Sequence, residues 1–315
     1  MIILYYLVYT LWFGLSLLPL RVLYWLSDVL FFIVFYVLHY RRRTVWLNIV
    51  TSFPEREVEE HRDIERRFYR WFCDYLVESV KLMTMSREEI QKRMVFKGSE
   101  AVDQCVNDGQ SCVIYLGHYC NWEWVTSLPF WISDKAQCGQ IYHVLENKEF
   151  DNIFLRLRQR FGAICIPMAE TLRRILQYKQ KNQPVVIGYI ADQVPHWNNI
   201  HHWCQFLHHD TPVLTGTERI AKKTGHAVFY LDINRVKRGY YEAEFRLITR
   251  EPEKYADYEL TDIYFRMLEQ SIRRNPSYWL WTHNRWKRTH EVFDRRFEVI
   301  DGKVRERPEP TPIVI

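Results

Sequence analysis

The segment GHYCNWEW, residues 117–124, sets an imidazole, His118, five positions ahead of a carboxylate, Glu123. An alcohol is a poor nucleophile until a base takes its proton as it attacks a carbonyl, and an imidazole, which titrates near neutrality, suits that task. A carboxylate bonded to one ring nitrogen would fix the tautomer, leave the other nitrogen free as the base and stabilise the imidazolium. On a continuous helix that spacing would put the two groups on different faces. The pairing therefore expects His118 in a loop and Glu123 in the first turn of a helix. A tetrahedral intermediate would also need donors for its oxyanion, either backbone amides at that helix start or an arginine. By itself H-x4-E is a common spacing, and a structural histidine fits it equally well.

The elements that must position this pair are legible around it. SCVIYLGH (111–118) reads as a buried strand that delivers His118 just past its end, where ligands and catalytic groups collect in α/β proteins. Residues 121–132 read as helical, Gln137–Val144 as a strand, Lys148–Phe161 as an arginine-rich helix, Ala163–Pro167 as a short strand and Glu170–Lys181 as a helix. PVVIGYI (184–190) is the clearest strand and leads into Ala191–Asp192–Gln193. Thr215–Thr224 reads as a helix capped by Gly225, and Tyr258–Arg274 as a helix stopped by Asn275–Pro276. HAVFYLDI (226–233) and YYEAEFRLI (240–248) suit an antiparallel pair. Alternating strands and helices predict an α/β fold with a mixed sheet flanked by helices.

Upstream, residues 57–83 carry apolar positions at Ile64, Phe68, Trp71, Phe72, Tyr75, Leu76 and Val80, the spacing of an amphipathic helix. Residues 44–60 hold Asn48, Phe53 and Pro54 and read as a turn. No charge occurs from Met1 to Leu20, a length that matches a bilayer core. A second apolar run, Val22–Tyr40, contains Asp28 and ends at Arg41, Arg42 and Arg43. Asp28 is costly inside lipid, so the expectation is one inserted helix followed by an interfacial one. The arginines place the rest of the chain on the cytoplasmic side. The chain divides into 1–43, membrane-anchoring helices; 44–303, the catalytic domain; and 304–315, a proline-rich tail expected to be poorly ordered.

Composition narrows the function. A net charge of +5 without a nucleic-acid motif gives no reason to expect nucleic acid, but it suits an anionic membrane surface or an acidic carrier. The 12 Trp, 20 Tyr and 18 Phe suit both a core and a membrane interface. Seven cysteines without a CxxC pair argue against a disulfide framework or a Cys-rich zinc site. HHWCQFLHH (201–209) has adjacent histidine pairs and not the i, i+4 spacing of a zinc helix, so a solvated loop is expected there. Arg156, Arg158 and Arg160 alternate along one helix; the bland reading is a solvated face, and an enzyme would need one of them turned into the cleft. Trp279, Trp281 and Trp286 fit either an interfacial anchor or a core.

Six ordered segments carry a resemblance. They are NIVTSFP (48–54) after the apolar start, GHYCNWE (117–123), YHVLENKEFDNIFLRLRQR (142–160), ADQ (191–193), DTPVLTGTERIAKKTGHAV (210–228) and WTHNRWK (281–287). Over nearly its whole length the chain resembles the late acyltransferases of lipid A biosynthesis, within the lysophospholipid acyltransferase superfamily. The resemblance implies His118 as general base, Glu123 as its carboxylate partner, Arg158 as the essential arginine (with Arg156 or Arg160 as alternatives) and Asp192 as a further residue of the catalytic centre. It implies substrate contacts at Asn121, Asn147, Arg160 and Gln193, and neither metal nor organic cofactor. It also implies an acyl thioester donor, acyl carrier protein or coenzyme A, and a lipid or glycolipid acceptor at the bacterial inner membrane. The sequence departs from the family pattern at Phe206–Leu207–His208, where many members have F-x-G, and at His143–Val144, where many have Arg-Pro. Both departures bear on the acceptor. The alternatives are O-acylation of a lysophospholipid or amino-acid lipid, and a non-catalytic lipid-binding protein.

Overall fold

Three apolar stretches, 112–116, 185–190 and 227–233, are almost wholly buried, as strands covered on both faces must be. A computed structural model describes residues 2–307 and sets these three side by side. The N-terminal part is helical: α1 (Ile2–Leu17), α2 (Leu20–Phe32, continued by a π-helical turn to Val37), α3 (Arg42–Ser52), α4 (Val58–Lys81) and α5 (Arg87–Arg93). Then follow β1 (Met94–Lys97), α6 (Ser99–Asn107), β2 (Cys112–Leu116), a 3-10 segment at Glu123–Phe130, β3 (Gln137–Tyr142), α7 (Lys148–Gln159), β4 (Ile164–Pro167), α8 (Thr171–Gln180) and β5 (Val185–Ile190). The C-terminal part holds the hairpin β6 (Trp203–Phe206) and β7 (His209–Pro212), α9 (Gly216–Thr224), β8 (Ala227–Lys237), β9 (Tyr240–Thr249), α10 (Glu259–Arg274), α11 (His290–Arg296) and the hairpin β10 (Phe297–Ile300) and β11 (Lys303–Glu306).

The main sheet has seven strands in the order β1-β9-β8-β2-β5-β3-β4. Every neighbouring pair is parallel except β8 with β9, so the sheet is mixed, as expected. Helices flank it. Tyr264 of α10 stacks on Tyr115 of β2 with ring centroids 4.5 Å apart and donates its hydroxyl to the Leu116 carbonyl.

Several local expectations need correction. Residues 42–52 form helix rather than turn, and the turn begins only at Phe53. Asn48 is buried on this helix, its amide donating to the Trp281 and His283 carbonyls. The segment after His118 is 3-10 rather than α-helical, with Pro129 inside it removing a backbone donor. The histidine-rich stretch folds as the β6–β7 hairpin instead of a solvated loop, and its histidines take separate partners: His202 meets Asp262 and His208 meets Glu55. Of the tail, 304–306 belong to the paired strand β11, and 308–315 lies outside the described residues.

At the N-terminus, α1 has 16 residues, and Leu20–Val37 is the one described helical run long and apolar enough to cross a bilayer. That run was expected to be the interfacial one. One face of it, with Leu23, Ser27 and Phe31, packs on α4, while Val22, Trp25, Val29 and Phe32 remain exposed. Asp28 is tolerated because Arg238 at the β8–β9 turn forks onto its carboxylate at 2.7 Å and 3.2 Å. Within the arginine triplet, Arg42 forks onto Glu65 and Arg41 donates to the Thr282 carbonyl.

Candidate active site

β2 and β5 are parallel neighbours, with Leu116 opposite Ile190. His118 lies two residues past Leu116, and Asp192 two residues past Ile190, so the shared register carries both to the same edge of the sheet. There the His118 ring Nδ1 lies 2.6 Å from Asp192 Oδ1, and the His118 backbone N–H donates to Oδ2 at 2.9 Å. The Trp279 indole N–H donates to Oδ2 as well, at 2.8 Å. Burial alone would raise the Asp192 carboxyl, but the His118 charge and these hydrogen bonds hold it at about 2. An ionised carboxylate can only accept, so Nδ1 carries a proton, and in the neutral ring Nε2 is then the acceptor. Gly117 makes the close approach possible: a Cβ there would meet Leu268 Cδ1 at 2.7 Å and Asp192 Oδ2 at 3.3 Å.

The carboxylate that holds the histidine is thus Asp192 and not Glu123. Glu123 begins the 3-10 segment, as expected, but accepts two N–H groups from Arg158, Nη2 at 2.7 Å and Nε at 3.1 Å. The four residues of loop between His118 and the helix start turn Glu123 toward α7. Burial alone would lower the Arg158 guanidinium, but the Glu123 charge and hydrogen bonds raise it above the ordinary arginine range. Of the three alternating arginines, Arg158 turns inward. Arg156 is exposed, and Arg160 donates to the Leu82 carbonyl at 2.6 Å. That contact removes Arg160 from the site.

The remaining expected residues divide. Gln193 lines the site, its amide nitrogen 3.1 Å from His118 Nε2. Asn121 is fully buried, donating to Glu78 at 2.7 Å and accepting from the Trp124 N–H, so no polar atom of it is left for a substrate. Asn147 is exposed and caps α7, accepting from the Glu149 and Phe150 amides.

His118, Glu123, Arg158 and Gln193 share the wall of a cavity of about 420 Å³. Its other walls are largely apolar: Ile114, Leu116, Leu128, Ile141, Ala163, Met168 and Ile220, with Gly139 and Gly188 where β3 and β5 pass. Trp122 stands edge-on to the His118 ring with centroids 5.1 Å apart. Trp279 and Trp122 were not singled out for the site from sequence; their type alone does not separate an indole N–H aimed at a carboxylate from core filling.

The short motifs quoted from the sequence converge here. Asn48 of NIVTSFP holds the WTHNRWK loop, and His283 of that loop accepts the Val194 N–H beside Gln193. Burial, then the charge of Arg285, pushes His283 down to about 4, which keeps its ring neutral for that role.

Among known proteins, the chain is similar to lipid A biosynthesis acyltransferase 2 of Shigella flexneri, at 21% identity over 123 residues. That match covers 38% of this chain and 38% of the Shigella protein. The sequence profile described as bacterial lipid A biosynthesis acyltransferase matches residues 1–288, nearly the whole chain, and on that extent the protein belongs to this family.

Proposed function

We propose that the protein transfers a fatty acyl group from a thioester, with acyl carrier protein as the preferred donor and coenzyme A as the alternative, to a hydroxyl of a lipid A precursor or a related lipid. The observation that carries this reading is the His118–Asp192 pair at the wall of an apolar cavity. His118 Nε2 accepts the proton of the acceptor hydroxyl, displacing the Gln193 amide, as the oxygen attacks the thioester carbon. A C–O bond forms and the carbonyl becomes an oxyanion. Arg158 supports that charge with Nη1, which no protein group among the described residues occupies, while Glu123 holds the rest of the guanidinium in place. Collapse breaks the C–S bond, and the leaving thiolate takes the proton from the His118 imidazolium, which Asp192 has stabilised. The acyl chain lies in the cavity because a long hydrocarbon is costly to leave in water.

The exposed apolar face of Leu20–Val37 supports seating at a membrane, with the catalytic centre on the cytoplasmic side of the bacterial inner membrane. The test is acyl transfer by membranes carrying wild type or His118→Ala, given labelled acyl carrier protein or labelled acyl-coenzyme A in separate arms and a mixed lipid acceptor pool. Label should enter a lipid with wild type and fall by at least about a hundredfold with the variant. The labelled lipid then identifies the acceptor, including a lysophospholipid or amino-acid lipid. A His118→Ala protein as active as wild type would overturn the mechanism. No transfer in any arm would favour a lipid-binding protein without catalysis.

A further inference from the structure

The fully buried carboxylate of Glu78, on α4, lies outside the mechanism above, yet three side chains from three other elements converge on it. Tyr24 of α2 donates its hydroxyl to Oε1 at 2.8 Å. Asn121, between His118 and Glu123, donates to Oε2 at 2.7 Å, and Tyr241 of β9 donates to Oε2 at 2.8 Å. The loop is braced within itself and bound to Glu78 once more. Asn121 Oδ1 accepts the Trp124 backbone N–H at 3.0 Å, and the Trp124 indole N–H donates to the Glu78 carbonyl at 3.2 Å.

The loop that carries the candidate base and the Arg158-binding carboxylate is therefore moored at two carboxylates. Asp192 holds its start at His118, and Glu78 holds its end on either side of Glu123. A buried carboxylate is costly unless its lone pairs are satisfied, and here the satisfying donors include the active-site loop and the N-terminal apolar helix. We infer that Glu78, keyed by Tyr24, is a positioning residue through which the N-terminal apolar helix sets the geometry of the His118–Glu123 loop.

Other contacts fix the register of α2 so that Tyr24 reaches its partner. Ser27 donates to Asp74 at 2.8 Å, and Arg238 bridges Asp28 and Asp74. Lys81 donates to the Ser16 and Leu18 carbonyls at the α1–α2 turn. Gly239, at φ +73°, leaves the space that Tyr24 needs: a Cβ there would sit 2.0 Å from the Tyr24 hydroxyl oxygen. Gly239→Ala thus offers a way to displace that hydroxyl without altering Glu78 or the loop.

The inference rests on the proposed acyl transfer for its functional meaning, so its test carries a readout independent of activity. Full-length wild type, Tyr24→Phe, Gly239→Ala, Asn121→Ala, Tyr24→Phe/Asn121→Ala and the surface control Glu253→Gln, an exposed side chain remote from this network, are compared in phospholipid bilayers. Amide exchange is followed for peptides covering 119–124 and 112–116. Tyr24→Phe and Gly239→Ala should each raise exchange in 119–124 and lower kcat by about five- to tenfold, the loss of one hydrogen bond, at unchanged KM for the acyl donor. Exchange in 112–116 should not change, Glu253→Gln should behave as wild type, and the double variant should be no worse than Asn121→Ala, because both act through Glu78. Unchanged exchange and kcat in both Tyr24→Phe and Gly239→Ala would overturn the inference, as would exchange that rises equally in 112–116. Faster exchange at 119–124 in a protein whose wild type transfers no acyl group would uphold the mooring and reject the acyl-transfer reading instead.

Discussion

Asp192 gives both of its carboxylate oxygens to His118, one to the ring Nδ1 and the other to the backbone N–H of the same residue. Asparagine at 192 cannot reproduce this. Either its amide nitrogen faces a backbone donor, or it faces Nδ1 and forces the proton onto Nε2, where it blocks the base. Asp192→Asn should therefore lower kcat by roughly 10²- to 10⁴-fold with KM for the donor nearly unchanged. Steady-state transfer in membranes measures both constants; a variant within threefold of wild type would remove Asp192 from the mechanism.

Arg158 spends Nε and Nη2 on Glu123, and among the described residues Nη1 has no partner. A lysine carries the charge but is not a planar fork, so it cannot hold Glu123 twice and still reach a third group. Arg158→Lys should reduce kcat/KM by about 10- to 100-fold, because the oxyanion donor is displaced rather than neutralised. Kinetics with a single acyl donor test it, and a fall confined to donor KM would assign Arg158 to binding alone.

Gly188 lines the cavity where β5 passes Leu116, and a Cβ there would meet only ordinary contacts, Leu116 Cδ2 at 3.6 Å and the Gly139 carbonyl at 3.7 Å. At Gly139 a Cβ would press on the Ile164 carbonyl at 2.9 Å, so that position tolerates nothing larger. Gly188→Leu should fill part of the cavity and shift the preferred donor to a shorter acyl chain. Competition among labelled donors of several lengths reads the preference directly; an unchanged order would mean that the chain lies elsewhere.

Burial first, and then the charge of Asp74, pushes Glu78 up to about 7 from 4.5, against the opposing effects of Arg235 and the two tyrosine hydroxyls. A folded value above the unfolded one favours the folded state in full below about pH 4.5, and this advantage is lost as pH rises through about 7. The amount is on the order of 3 kcal/mol. Wild type should therefore lose more thermal stability between pH 5 and pH 8 than Glu78→Gln, which does not titrate and can keep the three partners. Unfolding midpoints at the two pH values decide it, and equal slopes would exclude Glu78 as the titrating group.

The sequence patterns foretold the strands better than the contacts. β2, β5, β8 and β9 were legible as apolar runs, and Gly225 was legible as a C-cap, with φ +71°. The His118–Asp192 pair was not, because proximity in sequence favoured Glu123, five residues on, over a carboxylate 74 residues away. Only the parallel register of Leu116 with Ile190 brings the two together, and register is a property of the assembled sheet. Arg158 could not be told from Arg156 and Arg160 until the inward face of α7 was known. Arg158 lies one turn after half-buried Phe154 and beside buried Leu157, whereas Arg156 faces out. Asn121 was misassigned because a polar residue in a motif reads alike whether it faces a ligand or closes a buried network.

The central place of β2 also bears on biosynthesis. His118 emerges early, but the two strands that flank β2 are β5 and β8, and Trp279 comes later still. Tyr24 meets Glu78 54 residues on, whereas Asp28 meets Arg238 only 210 residues on. Contacts so distant in sequence form slowly. Asp28 must therefore wait for its arginine while the chain between them is made, and a bilayer surface is a setting in which the exposed apolar face beside it can wait without aggregating.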